Sequence, residues 1–397
     1  MSDTGDGAPG QERLRRWRLV LGESADEALG TRLAGPDAGM DAALATLYEN
    51  GPGEPGGPRA SGLGASAPRV ARWLGDVRSY FPSSVVQVLQ RDAVDRLNIA
   101  QLLLEPELLE AVEPDVHLVG TLLSLGRVLP ETTKATARQV VATVVADIER
   151  RIADRTTAAV SGALNRAART HRPKLRDIDW NRTVRANLAH YLPEHRTVVP
   201  ERLLGSGRRQ RAVARDVVLA IDQSGSMAES VVYASVFGSV LASMPSLRTS
   251  LVVFDTAVVD LSPELHDPVE VLFGVQLGGG TDINRALAYC QSLVTRPEET
   301  VLVLISDLFE GGVAEEMLRR VHQLVADGVT VVVLLALSDS GAPAYDHEHA
   351  AALAALGVPA FACTPDQFPD LLAVALSRGD VGLWAATAAR ERAAPPA

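Results

Sequence analysis

The chain has 397 residues, of which 47% are hydrophobic and 22% charged, and this composition is typical of a globular protein with two or three domains. Two cysteines, Cys290 and Cys363, are too few for a disulfide framework or a zinc site built from cysteines. The longest apolar run, residues 331–337, is far shorter than the roughly 20 residues that span a membrane, and the N-terminus lacks the apolar stretch of a secretory signal. We therefore predict a soluble cytoplasmic protein that does not cross a membrane.

The net charge of −11 is unevenly distributed. Residues 134–215 contain 18 Lys and Arg against 7 Asp and Glu, whereas the rest of the chain contains 20 basic and 42 acidic residues. This asymmetry indicates either an anionic partner for the basic stretch or docking of the two parts on each other. Because aromatic residues make up only 4% of the chain, base-stacking platforms are not expected, and we predict no nucleic-acid partner.

The first half of the chain is predicted to be helical after a loose start. Residues 1–68 are predicted to form a flexible, Gly/Pro-rich region, in which 13–21 is a short helix or strand. Within it, residues 50–68 hold six Gly and four Pro and are predicted to be a linker. Residues 69–205 place apolar side chains at helical spacing, and we predict an all-α domain there.

The second half predicts an α/β domain over residues 212–384. Short apolar runs, most of them ending at an Asp, occur at 216–222, 249–255, 300–307, 330–339 and 359–363. Helical patterns lie between or after them, at 228–244, 283–294, 313–326, 347–356 and 365–376. This alternation predicts a doubly wound, mostly parallel sheet of Rossmann-like type. Residues 258–260 are expected to add a short antiparallel edge strand, and 385–397 to form a C-terminal tail.

Three polar clusters follow predicted strands or precede a helix, where ligands bind in open α/β sheets. They are residues 222–226 (DQSGS), 278–282 (GGGTD) and 306–307 (SD). Their candidate ligands are carboxylates and hydroxyls, with no thiol and no imidazole: Asp222, Ser224, Ser226, Thr281 and Asp307. An all-oxygen set selects a hard cation, so we predict a site for Mg²⁺ or Mn²⁺ that water and one outside anionic oxygen complete.

These five positions resemble the metal-ion-dependent adhesion site (MIDAS) of von Willebrand factor A (VWA) domains. All five are present in the expected order, with Thr281 and Asp307 lying 59 and 85 residues after Asp222. The resemblance implies that Ser224 and Ser226 coordinate the metal directly and that Thr281 does so in the ligand-bound state. It also implies that the two Asp bind directly or through water, and that a partner's Asp or Glu supplies the sixth ligand.

The whole chain is also similar to bacterial CoxE-like VWA proteins with a helical N-terminal region. That similarity is carried by the phrases RVARWLGDVRSYFP, ALNRAART, DIDWNRTVRANLAHYLPE, IDQSGSM, LGGGTDIN, LISDLFEGG and FACTPD. It implies a MoxR-type AAA+ ATPase as partner and a role as adaptor or co-chaperone rather than as an enzyme.

Each candidate residue also has a simpler interpretation. Asp222 could cap the helix that follows it, and Asp282 is expected to lie in the first helical turn rather than on the metal. Asp255 is expected to stabilise a turn, although it could lie behind the metal ligands. Glu310 is expected to face water, and the DHEH cluster at 346–349 to be a solvated helix start rather than a metal site.

Two other functions use the same residues. The first is a hydrolase that uses the metal to cleave a phosphoester, although no general acid stands two residues after Asp222, because Ser224 occupies that position. The second is a scaffold whose metal is purely structural. A Walker A signature is absent from the sequence, so we do not expect the chain itself to hydrolyse ATP.

Overall fold

The computed structural model describes residues 7–30, 32–48, 67–97, 103–104, 106–126, 128–167, 169–170, 178–206, 215–275, 279–339 and 344–393. The chain divides into two compact units, Met1–Val144 and Val145–Ala397. The predicted linker at 50–68 lies almost wholly outside the described residues.

The first unit is helical throughout its described part. Its helices are α1 (Gly7–Leu21), α2 (Asp26–Leu29), α3 (Pro36–Tyr48), α4 (Ala67–Tyr80), α5 (Ser83–Leu97), α6 (Pro106–Ala111) and α7 (Val116–Ser124). The long helix α8 (Glu131–Ala167) begins in this unit and continues into the second. The division between the two units falls within this continuous helix, and the domain boundaries expected from the sequence stay a prediction.

Helices α1 to α3 occupy part of the region for which the sequence predicts a loose segment. Arg18 on α1 is 3% exposed, and its guanidinium donates to both carboxylate oxygens of Asp41 at 2.9 and 3.1 Å and to Asp26. Trp73 on α4 donates its ring N–H to the carbonyl oxygen of Ala43 on α3 at 2.9 Å. These buried partners order the segment, although its sequence pattern is interrupted by Gly and Pro.

A glycine in α4 provides a simple stability test. Gly75 lies within the helix, and a Cβ at this position would meet no other atom within 4 Å. We expect Gly75→Ala to raise the free energy of unfolding by about 0.5 to 1 kcal/mol, because Ala loses less backbone entropy in a helix. Urea unfolding measures this effect, and a decrease in stability would contradict the described helix.

The second unit contains a six-stranded sheet and two short strand pairs. The two-residue strands β1 (Arg169–Thr170) and β4 (Gly205–Ser206) pair antiparallel, as do β2 (Tyr191–Leu192) and β3 (Thr197–Val198). The main sheet comprises β5 (Arg215–Asp222), β6 (Leu247–Phe254), β7 (Val258–Asp260), β8 (Thr300–Ile305), β9 (Thr330–Leu337) and β10 (Ala360–Cys363). Its order is β10-β9-β8-β5-β6-β7, with all neighbours parallel except β6 and β7. The predicted α/β class and the antiparallel edge strand are confirmed.

The helices of this unit follow the predicted alternation closely. They are α9 (Trp180–Ala186), α10 (Ala228–Ala242), α11 (Pro268–Gly274), α12 (Ile283–Leu293), α13 (Ala314–Ala326), α14 (His347–Ala355), α15 (Phe368–Leu376) and α16 (Val381–Ala393). The sequence did not predict α11, and α16 occupies residues where we expected a tail. The ring of Trp384 at the start of α16 packs at a tilt against the ring of Phe361 on β10, with centroids 6.1 Å apart, and this contact attaches α16 to the sheet.

One helical segment among the described residues, Gly225–Ala242, is long and apolar enough to cross a membrane by those two criteria alone. Two thirds of it is buried inside the fold, and Phe237 in this segment packs against Phe368 of α15 with ring centroids 4.6 Å apart. Such burial is typical of a core helix beside a parallel sheet.

The continuation of α8 into the second unit uses part of the basic stretch. Arg155 donates to Asp370 on α15 at 2.8 Å, and Arg151 lies 3.6 Å from Asp339 and 3.8 Å from Asp366. The basic stretch therefore pairs in part with acids of the α/β domain, which supports the docking alternative for the charge asymmetry. These pairs are about half exposed, so each is expected to contribute little to stability.

Candidate metal centre

Two neighbouring strands place their last residues side by side. Strands β5 and β8 are parallel, and Ile221 stands opposite Ile305, so that Asp222 and Ser306 follow at the same edge of the sheet. Asp222 and Ser306 are fully buried, and Asp307 is 4% exposed. The long apolar strands thus carry polar residues into a protected position at the carboxyl end of the sheet.

Asp222 is held by two hydrogen bonds. Its Oδ1 accepts from the backbone N–H of Ser224 at 2.9 Å, and its Oδ2 accepts from the hydroxyl of Ser306 at 2.8 Å. The Ser306 oxygen in turn accepts from the N–H of Leu308 at 3.1 Å. Sequence reasoning assigned no separate role to Ser306, and the structure shows that its hydroxyl holds the carboxylate of Asp222.

The remaining ligand candidates of the first and third clusters lie together. The hydroxyl oxygens of Ser224 and Ser226 are 3.2 Å apart, and Ser226 donates to Oδ2 of Asp307 at 2.7 Å. Four of the five predicted residues therefore form one hydrogen-bonded group, in which Ser226 is exposed.

Thr281, the fifth candidate, is joined to this group through its loop. It is 9% exposed, and its carbonyl oxygen accepts from the N–H of Gly311 at 2.7 Å. A Cβ on Gly311 would lie 2.6 Å from that oxygen, so only glycine allows the two loops to approach this closely. The loop that carries Asp307 is thus hydrogen-bonded directly to the backbone of Thr281.

Glu310 strengthens the same junction, and the expectation that it faces water is wrong. Its Oε2 accepts from the N–H groups of Ile283 and Asn284 at 2.8 and 3.3 Å, and its Oε1 accepts from Gly312 at 2.6 Å. Burial raises the pKa of this carboxyl, while the backbone donors act in the opposite direction. Together with Gly311, Glu310 forms what we call the 310–311 clasp between the Asp307 loop and the start of α12.

The neighbouring acids stabilise backbone turns, although Asp282 precedes the first turn of α12 and does not lie in it as predicted. Asp282 caps α12 by accepting from the N–H of Arg285 at 2.8 Å. Asp255 stabilises a turn, because its Oδ1 accepts from the N–H of Ala257 at 2.6 Å.

The DHEH cluster begins α14, as expected. Asp346 is its N-cap and accepts from the N–H groups of Glu348 and His349, each at 2.9 Å. His349 is not solvated, however, since its side chain is 17% exposed and its Nδ1 lies 3.0 Å from the carbonyl oxygen of Leu308. This helix start therefore packs against the Asp307 loop, a contact that the local sequence did not reveal.

The electrostatics of the group favour a bound cation. Burial raises the pKa of Asp222 to about 6, the nearby charge of Asp307 acts in the same direction, and the hydrogen bonds from Ser224 and Ser306 oppose the change. Two buried carboxylates whose charges act on each other gain from a positive charge nearby.

The donor geometry also fits a hard divalent ion. Mg²⁺ binds oxygen at about 2.0 to 2.1 Å in octahedral arrangement, which places adjacent ligand oxygens about 3 Å apart. The separations of 3.2 Å between the two serine hydroxyls and 2.7 Å between Ser226 and Asp307 match that edge. The residues present are therefore suited to Mg²⁺, and the same oxygen set also suits Mn²⁺.

Comparison with known proteins identifies the class and then the family. The mostly parallel sheet, with an antiparallel edge strand and an oxygen-rich cluster at its carboxyl end, is the arrangement expected of a VWA domain, and the family match shows this class. The chain belongs to the family described as VWA domain containing CoxE-like protein, which it matches over residues 150–372. It is also 37% identical over 365 residues to the uncharacterised protein YehP of Escherichia coli K12, covering 91% of this chain and 96% of YehP.

Solved structures to which the chain is similar share far less of its sequence. BatB of Bacteroides thetaiotaomicron is 15% identical, with a TM-score of 0.34 over 42% of this chain and 98% of the BatB chain. A von Willebrand factor type A protein from Catenulispora acidiphila is 13% identical, with a TM-score of 0.32 over 44% of this chain and 43% of that chain.

Proposed function

We propose that this chain is a cytoplasmic, metal-ion-dependent protein-binding module that captures a carboxylate of a partner protein. The observation that carries the proposal is the convergence of Asp222, Ser224, Ser226 and Asp307 in one hydrogen-bonded group. Thr281 stands on the adjoining loop. Family membership supports a protein-interaction role, since the match is to a VWA-containing family.

The five residues would hold Mg²⁺ or Mn²⁺, which supplies a hard positive centre for an incoming anionic oxygen. Asp222 and Asp307 balance most of the ion's charge, so a partner carboxylate adds without a large excess of negative charge. Ser226, which is exposed, stands at the open side of the group, whereas buried Asp222 stands behind it. The chain's own residues thus define a direction from which a partner can reach the site.

The partner named in this proposal is a MoxR-type AAA+ ATPase or its client. The support for this choice is the similarity to CoxE-like proteins, and the site itself specifies only a carboxylate. Under this proposal the chain acts as an adaptor or co-chaperone and carries out no chemical reaction on the partner.

A pulldown from native lysate tests the proposal. Wild type and Asp222→Ala are each used as bait with Mg²⁺ and with EDTA, and Asp267→Ala is the matched control. Asp267 is likewise an aspartate whose Oδ1 accepts from a backbone N–H, at the N-cap of α11, but it is not a candidate ligand. We expect an AAA+ ATPase or its client to be retained by wild type and Asp267→Ala in Mg²⁺, and to be absent with EDTA or Asp222→Ala. Equal retention in every condition would contradict the metal bridge.

The two alternatives predict different results. A hydrolase turns over a generic phosphoester in Mg²⁺, and Asp222→Ala abolishes that turnover. A scaffold with a structural metal loses thermal stability in Ser226→Ala while its partner binding persists. If the protein is the proposed adaptor, Ser226→Ala loses partner binding, while the thermal stability of the metal-free protein is little changed.

A further inference from the structure

We propose that Phe309 and Val313 determine which carboxylate the site accepts, by binding apolar side chains that flank a partner's Asp or Glu. This inference rests on the proposed function and adds the chemistry of the partner segment. It assigns a specificity role to the loop that follows Asp307.

The first observation is where apolar surface is exposed. Within the described part of residues 215–380, the large apolar side chains that are exposed are Val259, Phe309 and Val313, at 40%, 50% and 53%. Two of these three stand four residues apart on the loop that carries Asp307. Scattered apolar side chains on a surface need no explanation, but their concentration beside a polar site marks an interaction surface.

The second observation is that the loop is fixed in this form. The carbonyl oxygens of Asp307 and Leu308 are bonded to Asp346 N–H at 2.9 Å and His349 Nδ1 at 3.0 Å. Leu308 adopts a left-handed backbone with φ of 65° and is fully buried, so its side chain points inward. Phe309 follows immediately, and its N–H donates to Oδ1 of Asp307 at 3.4 Å.

Of two adjacent residues on this loop, Leu308 is buried and Phe309 is exposed to solvent. The left-handed backbone at Leu308 is unfavourable for a residue other than glycine, and the burial of the leucine side chain offsets this cost. The residue after this turn, Phe309, is half exposed and lies two positions after the candidate ligand Asp307. A rigid exposed aromatic loses little entropy on binding, which suits it to recognition.

The partner that fits this surface is an extended segment with an acidic residue between apolar neighbours. Its carboxylate would be recognised at the metal, and a flanking Leu, Val or Phe would cover Phe309 and Val313. Four glycines on the loops that carry Thr281 and Asp307 are also exposed: Gly279, Gly280, Gly311 and Gly312. Because they have no side chains, they leave room for the backbone of a partner segment.

Three short peptides test the inference on the full-length protein. They are Ac-Gly-Leu-Glu-Leu-Gly-NH₂, the same peptide with both Leu replaced by Ser, and the same peptide with Glu replaced by Gln. Saturation-transfer NMR titrations in Mg²⁺ and in EDTA give their affinities. We expect the Leu-Glu-Leu peptide to bind about tenfold more tightly than Ser-Glu-Ser in Mg²⁺, and the Gln peptide to bind at least tenfold more weakly than its Glu counterpart.

Variants separate recognition from metal binding. Phe309→Ala and Val313→Thr are expected to reduce the preference for Leu over Ser to less than threefold, while their Mg²⁺ affinity by calorimetry stays within twofold of wild type. Val259→Thr is the matched control, because it makes the same change at an exposed valine of the edge strand β7, and it is expected to keep the full preference.

Each other outcome overturns a defined part of the argument. Equal, Mg²⁺-dependent binding of the two Glu peptides contradicts the role of Phe309 and Val313 and leaves the proposed function intact. Equal binding of the Leu peptides in Mg²⁺ and EDTA contradicts any link between this surface and the metal. If neither Glu peptide binds in Mg²⁺, the proposed carboxylate capture fails, and this inference fails with it.

Discussion

With saturating Mg²⁺ at pH 7.5, the wild-type protein is expected to unfold roughly 5 to 10 °C above its midpoint in EDTA. Asp222→Asn is expected to show no such difference, because it lacks the buried carboxylate that the ion balances. In EDTA at this pH, the variant should unfold at or above the wild-type midpoint, since it no longer carries a buried charge. Differential scanning calorimetry measures both effects.

The pH dependence of this effect follows from the direction of the pKa change. Burial raises the pKa of Asp222 from 3.8 to about 6, so the metal-free native state holds this proton more tightly than the unfolded state. Stability from this group is therefore present below about pH 4 and is lost as the pH rises to about 6, at a cost of ~3 kcal/mol. Mg²⁺ binds the ionised form, so its stabilising effect is expected to grow between pH 5 and pH 7.5.

A capping aspartate provides the control for this experiment. Asp267→Asn alters the N-cap of α11, where Oδ1 of Asp267 accepts from Val269 N–H at 2.9 Å, and it is expected to keep the full Mg²⁺ shift. If Asp222→Asn kept the shift as well, Asp222 would not be part of a metal site, and its carboxylate would serve only to bind Ser224 N–H and the Ser306 hydroxyl. A shift that shrinks between pH 5 and pH 7.5 would contradict the linkage between the proton and the metal.

The sequence predicts the sheet and its polar edge well, because both depend on short-range patterns. The apolar runs in 216–363 are long enough to indicate strands, and the carboxyl ends of parallel strands meet at one edge. Asp222 and Asp307 could therefore both be placed at this edge from the sequence, but only the structure shows that β5 and β8 are neighbours in the sheet. Their status as metal ligands stays a prediction, as do the identity of the ion, the partner and the cytoplasmic location.

Other features depend on contacts that local patterns do not encode. Ser306 and Glu310 acquire their roles from partners 84 and 27 residues away, and a serine or glutamate in a loop gives no sign of which backbone it will meet. Helix α1 is fixed by the buried Arg18, whose partner Asp41 lies 23 residues further along. Buried hydrogen bonds between distant segments thus determine what periodicity leaves open.

The 310–311 clasp gives the second large prediction. Glu310→Gln is expected to weaken Mg²⁺ binding about tenfold or more. The two carboxylate oxygens of Glu310 accept from three backbone N–H groups, whereas the amide of glutamine has a single acceptor oxygen. Glu316→Gln is the matched control. The Glu316 carboxylate accepts from the Asn284 side chain at 3.2 Å, and within the described residues it receives no hydrogen bond from a backbone N–H of the two loops. The Mg²⁺ affinity of Glu316→Gln should therefore stay within twofold of wild type. Isothermal calorimetry with Mg²⁺ measures each variant.

Gly311→Ala tests the same junction without changing charge. Its Cβ would lie 2.6 Å from the Thr281 carbonyl oxygen, so the two loops must separate, and Thr281 moves away from Asp307. We expect a loss of Mg²⁺ affinity similar to that of Glu310→Gln, together with faster hydrogen exchange at residues 281–284. Gly75→Ala makes the same substitution in an open part of α4 and should leave both measurements unchanged.

The two variants together decide whether Thr281 belongs to the metal site. If both loosen residues 281–284 and weaken Mg²⁺ binding, the position of the Thr281 loop determines affinity, as a direct ligand requires. If exchange at 281–284 rises while Mg²⁺ affinity is unchanged, the ion is held by Asp222, Ser224, Ser226 and Asp307 alone. Thr281 would then serve only to connect the sheet edge to α12, and four ligand residues would replace the predicted five.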